Sequence, residues 1–335
     1  MRYVMATIAA SVLFSASAAA EKLRIVISND DGLTANVVAL YSALEADGHD
    51  VVVSVPCQNQ SGMSGALKLP SRSEPLSEAC LNNAAEPGAP PAGKATLEGL
   101  PGDDFYYVEG TPVMALMYGL DVVSHERWGS DPDLVLSGPN AGQNVGSVIL
   151  NSGTVGNAQH AAARGISTIA LSAGSRTKAP PLSPGEGSLT VATLSVTLVN
   201  ALNDLAADKA LLPDGLALNV NFPDAPDNAE WRETKIGTYA AYKLRYVQNV
   251  AENATPIMLA MAEAEDTPLP DQPGITFDFN RSPPTEEQLN DEAVVYRKHI
   301  AVSPMYAGYG QRDHEAWDIN ALLAELAGEA EEEAE

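Results

Sequence analysis

Asp30 and Asp31 stand side by side in the stretch "LRIVISNDDGLTAN" (residues 23–36), directly after a run of apolar, β-branched residues. Charge at the end of a buried strand is unfavourable unless something compensates it. On a regular strand, adjacent side chains point to opposite faces, but in the turn that follows both carboxylates can converge on one ion. Two carboxylates together favour a hard divalent cation whose shell is completed by neutral oxygens. Ser61 in "PCQNQSGMSG" (56–65) and Asn140 in "SGPNAGQNVG" (137–146) could supply those oxygens, since each opens a glycine-rich stretch after an apolar run. The competing reading is an Asx turn in which the acidic pair caps the next helix. That reading would suffice for the pair alone; the other polar clusters outweigh it.

A further cluster, "NSGTVGNA" (151–158), leads into a helical pattern. Ser152, Gly153 and Thr154 fall at its N-terminus, where backbone N–H groups and the helix dipole stabilise a phosphate. Neither glycine-rich segment is a Walker loop, because no G-K-[ST] follows, and the first strand is not followed by G-x-G-x-x-G. His160 lies two turns into an alanine-rich helix and reads as a structural residue. Ser28 and Ser172 end strands but lack the G-x-S-x-G context of a nucleophile elbow.

These clusters need elements to bring them together. Residues 23–27 form a short apolar strand, and Val37, Val38, Leu40, Tyr41 and Leu44 make a helical stripe that Gly48 ends. A second apolar strand follows at 49–56. Strand, helix, strand within so short a span is a βαβ unit, so a parallel sheet covered on both faces is expected. The pattern recurs, with helices predicted over 112–123, 154–165 and 189–205 and strands over 133–139, 167–174 and 216–223. Residues 75–102 and 175–187 read as Pro- and Gly-rich surface segments, and 249–274 as a loop-rich excursion. Strand character returns near the end of "EAVVYRKHIAVSPM", and no internal repeat is visible. In such a sheet, ligands bind beyond the carboxyl ends of the strands, so all four polar clusters should crowd one edge.

Residues 1–20 carry Arg2, an apolar run and a small-residue ending at Ala18-Ala19-Ala20, the pattern of a secretory signal peptide. No later segment reads as long and apolar enough to span a bilayer. The expected location is therefore periplasmic or secreted, and there Cys57 and Cys80 could pair as a disulfide. The chain holds 44 acidic against 19 basic residues, a formal net charge of −25. Such a surface repels nucleic-acid polymers and anionic membranes, and it helps to keep an exported protein soluble. Residues 328–335 hold five Glu and read as a disordered acidic tail.

Taken in order, "RIVISNDDG", "VSVPCQNQSGMSG", "GTPVMALMYGL", "PDLVLSGPNAGQNVG", "NSGTVGNAQHAAARGISTIALS" and "LNVNFP" resemble the SurE family, survival-protein 5′/3′-nucleotidases with metal-dependent acid phosphatase activity. The resemblance runs from about residue 23 to 223, with a fainter echo at "NDEAVVYRKHIAVSPM". By position it implies that Asp30, Asp31, Ser61 and Asn140 hold one divalent ion, Mg²⁺ or Mn²⁺, and that Asp30 and Asp31 are catalytic. It sets Asn29, Ser152, Gly153 and Thr154 beside the substrate phosphate. It also implies a three-layer Rossmann-like α/β core over 21–248 and a β-rich C-terminal extension over 249–327. That extension is expected to be exchanged between the protomers of a homodimer or homotetramer.

The expected activity is hydrolysis of nucleoside monophosphates by a metal-activated water, with Asp30 or Asp31 as a covalent nucleophile the second mechanism. The alternative function is an exported nucleotide- or phosphate-binding protein with little catalysis. The neutral loop at Gln58-Asn59-Gln60 motivates it, one of three departures from the family. Cys57-Gln58-Asn59-Gln60 replaces a loop that usually carries an acidic residue and an arginine. Val113 and Met114 stand where a small residue and an aspartate are common, and Asn151 stands where a tyrosine is usual.

Overall fold

The computed structural model describes residues 22–308 apart from 70–73, 98, 175–176, 178–181, 207–208 and 265. The expected signal segment (1–20), the acidic tail (328–335) and residues 309–327 of the expected extension lie outside the described residues.

Strand β1 (Arg24–Ser28), helix α1 (Ala35–Ala46) and strand β2 (Asp50–Pro56) form the first βαβ unit. They are followed by β3 (Ala92–Lys94), β4 (Phe105–Val108), α2 (Pro112–Tyr118) and α3 (Ser124–Trp128). The middle of the chain adds β5 (Leu134–Ala141), α4 (Gly153–Ala163), β6 (Thr168–Ala173), α5 (Glu186–Ala206) and β7 (Leu216–Asn221). The last part supplies β8 (Trp231–Glu233), β9 (Tyr242–Val247), α6 (Pro256–Ala264), β10 (Gly274–Phe279), α7 (Glu292–Val295) and β11 (Ile300–Tyr306).

The main sheet runs β3-β4-β2-β1-β5-β6-β7-β11-β8. Its central strands from β4 to β7 are parallel, while β3 and β11 join antiparallel to β4 and β7. Alternation along the strands divides the core between two faces. Ile25 and Ile27 pack with Val37, Leu40 and Leu44 of α1 and with Val199 of α5. Val26 and Val52 pack on the other side with Leu116, Leu120 and Ala161. Each of these buried Ile, Leu and Val side chains contributes roughly 1.5–3 kcal/mol. Helices cover both faces, as expected of a parallel sheet. Because β2 lies on one side of β1 and β5 on the other, the strand order reverses at β1. The crevice at the carboxyl ends of β1 and β5 is therefore the place where an α/β sheet receives a ligand.

Several elements differ from the expectations. The helix predicted over 112–123 is α2 followed by a π-helical turn at Gly119–Val123, where the Ser124 hydroxyl donates to the Gly119 carbonyl. Gly119 sits tightly on Ser54 and Val26, so packing decides the local winding. The insertion at 75–102 contains β3, and the excursion read as loop-rich, 249–274, holds α6 and links β9 to β10, which pair antiparallel with α6 against β10. Helix α5, of 21 residues, is long and apolar enough by length and composition to cross a membrane, against the reading that no such segment follows residue 20. In the fold its Val191, Ala192, Ser195 and Val199 are buried and it packs along α1.

Candidate metal and phosphate site

Beyond β1 the backbone turns sharply. Asn29 is fully buried and commits its amide to the turn: Nδ2 donates to the Gly32 carbonyl at 2.7 Å, and Gly32 N–H donates to Oδ1 at 3.1 Å. That Asx turn lifts the next two carboxylates out of strand geometry and into the crevice. Asp30 is only 3% exposed. Its Oδ1 accepts the Thr154 hydroxyl at 2.7 Å and its Oδ2 the Gly153 N–H at 3.1 Å. Asp31 is held by two other segments, its Oδ1 accepting from Asn59 Nδ2 and its Oδ2 from the Ala141 N–H, both at 3.0 Å. The Asp30 carbonyl accepts the Gln60 N–H at 2.7 Å. The acidic turn therefore binds three segments at once: the loop after β2, the end of β5 and the start of α4.

The remaining candidates sit on those segments. Asn140, partly buried, donates its amide Nδ2 to the Gly142 carbonyl at 2.7 Å, so its amide oxygen is the atom it could offer a cation. Ser61 is exposed and is positioned by its N–H, which donates to Asn59 Oδ1 at 2.9 Å. Ser152 caps α4 by accepting the Val155 N–H at 3.1 Å. Gly153 has no room for a side chain: a Cβ there would lie 2.5 Å from the Asp30 Cβ and 2.7 Å from Pro112 Cγ. A Cβ on Gly156 would meet the Ser64 carbonyl carbon at 2.5 Å, so α4 presses directly onto the loop that carries Ser61. His160 lies further along α4, its pKa lowered by burial and then by Arg164.

Burial, followed by the charge of Asp31, pushes the Asp30 carboxyl well above its ordinary range, against the opposing pull of its hydrogen bonds from Thr154 and Gly153. A nearby cation would relieve this. Among the described residues no group of three or more His, Cys, Asp and Glu stands together. The donors on hand are two carboxylates, an amide oxygen and a hydroxyl. An all-oxygen set of this kind fits a hard divalent ion such as Mg²⁺ or Mn²⁺ and suits zinc or copper poorly.

Sequence reasoning missed the supports of this site. Asn59 orients Asp31, and Asn157 ties α4 to the end of β1 through Ser28 Oγ (3.3 Å) and the Asn29 carbonyl (3.4 Å). The 140–146 loop is held from β7: Asn219 and Asn221 both donate to the Asn144 carbonyl, and Asn221 accepts the Asn144 N–H at 2.9 Å. Glu292 accepts from Gly146 N–H and from Asn219 Nδ2, each at 2.9 Å. Burial pushes its carboxyl up to about 7. The signal that could have found β7's role was "LNVN", two asparagines on one face of an otherwise apolar strand.

Residues 25–245 match the protein family described as Survival protein SurE. The chain is 33% identical over 207 residues to a 5′-nucleotidase SurE of Gloeobacter violaceus, covering 62% of this chain and 66% of that one. It is 30% identical over 209 residues to an acid phosphatase of Yarrowia lipolytica, covering 60% and 57% respectively. The matched segment thus spans less than two thirds of either relative. The crystal structure of the SurE protein from Aquifex aeolicus is similar with a TM-score of 0.61 and 23% identity, over 90% of this chain and 99% of that one.

Proposed function

The chain belongs to the SurE family, and on that premise we propose that it is a metal-dependent phosphomonoesterase that hydrolyses nucleoside monophosphates. The observation that carries this reading is the meeting of Asp30, Asp31 and the N-terminus of α4 in the crevice between β1 and β5. Asp30, Asp31, Ser61 and Asn140 would hold the divalent ion, which when bound offsets phosphate charge and makes a water more acidic. The first turn of α4 faces the phosphate, since the positive end of the helix dipole favours an anion, while its Gly153 and Val155 N–H groups are engaged by Asp30 and Ser152. Gly153 lets the start of α4 close directly onto Asp30, and Ser152 fixes the turn by capping it. One aspartate takes the proton of the attacking water while the oxygens are held for in-line displacement.

The neutral loop at Gln58-Asn59-Gln60 motivates the second reading, a nucleotide- or phosphate-binding protein with little turnover. In this fold Asn59 supports the first reading instead, because it spends its amide on Asp31. Phosphate release from a panel of nucleoside monophosphates with Mn²⁺ or Mg²⁺, measured beside binding on the same sample, separates the two. Turnover that EDTA stops supports hydrolysis; tight binding without turnover supports the carrier.

Two further properties belong to the same proposal. Export is supported by the residue pattern of 1–20 and by the Cys57–Cys80 disulfide, a bond that persists in oxidising compartments. Assembly is supported by the β9–β10 hairpin, which leaves Leu244, Tyr246 and Ile275 more than half exposed. We assign that surface, with the exchange of the C-terminal extension, to contact with a second copy. Light scattering on a Leu244→Glu, Tyr246→Glu, Ile275→Glu variant, which leaves β11 in its sheet, tests it: a mass per particle equivalent to one chain supports the contact, and an unchanged subunit number opposes it.

A further inference from the structure

A second concavity opens along the same carboxyl edge of the sheet. It encloses about 390 Å³ and is walled by Leu67, Val108, Met114, Met117 and Tyr118, with the charged Lys68, Glu109 and Asp121 also on its lining. Sites for small organic ligands begin at about 300 Å³ and are mostly apolar with a few polar groups.

Its walls continue the elements of the metal and phosphate site. The loop that carries Ser61 runs on to Leu67. Helix α2 starts at Pro112, whose ring bounds the space above Gly153. Thr111 joins the two, since its hydroxyl donates to the Ala66 carbonyl at 2.6 Å and accepts the Met114 N–H at 3.3 Å. Met114 lies two residues, about 3 Å of rise, beyond the residue packed against Gly153. Val108 ends β4, which is next but one to β1, so this floor is about 10 Å from the Asp30 turn.

The helix itself is divided. Val113, Ala115, Leu116 and Leu120 are buried in the core, whereas Met114, Met117 and Tyr118 are half-buried on one face, at i, i+3 and i+4. That face looks into the cavity. Unbranched thioethers adapt to flat rings and make favourable sulfur–aromatic contacts. A phosphomonoester whose phosphate sits at the start of α4 has this cavity as its adjoining apolar surface.

Resting on the phosphate site proposed above, we infer that this cavity receives the aromatic alcohol part of the substrate, a nucleobase or an aryl ring, and that Met114 and Met117 determine that preference. Met114, at the position where the resemblance leads one to expect aspartate, gives this cavity an apolar wall. Polar alcohols such as glycerol are poor fits there.

The test is calorimetric binding, to the full chain with Mn²⁺ present, of non-hydrolysable phosphonates that share a head group. Benzylphosphonate and a nucleoside 5′-phosphonate are compared with methylphosphonate. At least one aromatic ligand should bind about tenfold tighter or more, as expected from burying a ring. Met114→Asp, and separately Met117→Gln, should each cut that ratio to about threefold or less; using a ratio removes any general effect on the head-group site. The stronger of the two aromatic ligands identifies the ring class. Equal affinity for all three phosphonates, or a ratio unchanged in both variants, overturns the inference while leaving hydrolysis standing. Methionine variants that change the particle mass rather than the ratio assign the cavity to a subunit contact and also overturn it. An intact ratio in a protein without turnover counts against hydrolysis alone.

Discussion

The Gly153 N–H donates to Asp30 Oδ2 at 3.1 Å, and a Cβ placed on Gly153 would stand 2.5 Å from the Asp30 Cβ. The helix proposed to receive the phosphate and the carboxylate proposed to hold the metal are thus in direct contact, with no space between them. Gly153→Ala should force them apart. A displacement of about 1 Å in such a site can lower turnover about a hundredfold. Steady-state kinetics on a variant that still folds by circular dichroism checks this; near wild-type kcat would mean that the contact is slack.

Metal should bind the folded state in preference to the unfolded chain, because the acidic turn, the β2 loop and the end of β5 come together only on folding. Stability should rise by about 2.7 kcal/mol at a hundredfold excess of ion over Kd. Asn140→Ala should reduce the rise by removing a neutral ligand, and His160→Ala should not. Identical melting temperatures in EDTA and in excess Mn²⁺ would leave the acidic pair as a structural tie between the β2 loop, the end of β5 and α4.

Glu292 gives a pH prediction. Its carboxyl is raised from an ordinary 4.5 to about 7 by burial, so the folded state binds more protons than the unfolded chain between those values. Stability contributed by the protonated form is fully present below about pH 4.5 and is lost as the pH rises through 7, by about 3 kcal/mol at most. Glu292→Gln should flatten that decline. Denaturant melts of both proteins from pH 4.5 to 8 read the difference, and parallel curves would show that Glu292 titrates normally.

The Cys57–Cys80 bond spans a sequence separation of 23 residues and anchors the insertion beside the site, where Leu81 donates its N–H to the Cys57 carbonyl and lies over Gly32. A closure of that size contributes about 3 kcal/mol. Replacing both cysteines by alanine should lower Tm by on the order of 5 °C. An unchanged Tm would mean that the insertion is held by its other contacts.

Much of this was legible because it is written in local pattern. Apolar runs at 23–27 and 49–56 with a helical stripe between them imply βαβ winding, and the winding places "SNDDG" and "SGPNAG" at one edge. The site's carboxylates announced themselves as charges after a strand. What was not legible depends on contacts distant in sequence. Strand β4 is four residues long and is recognisable as a strand only by its pairing with β2 and β3. The π-helical turn at Gly119 follows from its fit against Ser54. Glu292 supports a loop 146 residues away, a partnership no local spacing encodes.

The central claim is that Asp30 and Asp31 hold the ion through which this protein hydrolyses phosphate esters, and phosphate release by wild type and Asp31→Asn at saturating Mn²⁺ tests it most directly. Wild type should release phosphate from a nucleoside monophosphate and stop on addition of EDTA. Asp31→Asn, folded by circular dichroism, should release none detectable at any Mn²⁺ concentration. Turnover by Asp31→Asn at the wild-type rate, or wild-type turnover that persists in EDTA, would contradict the account.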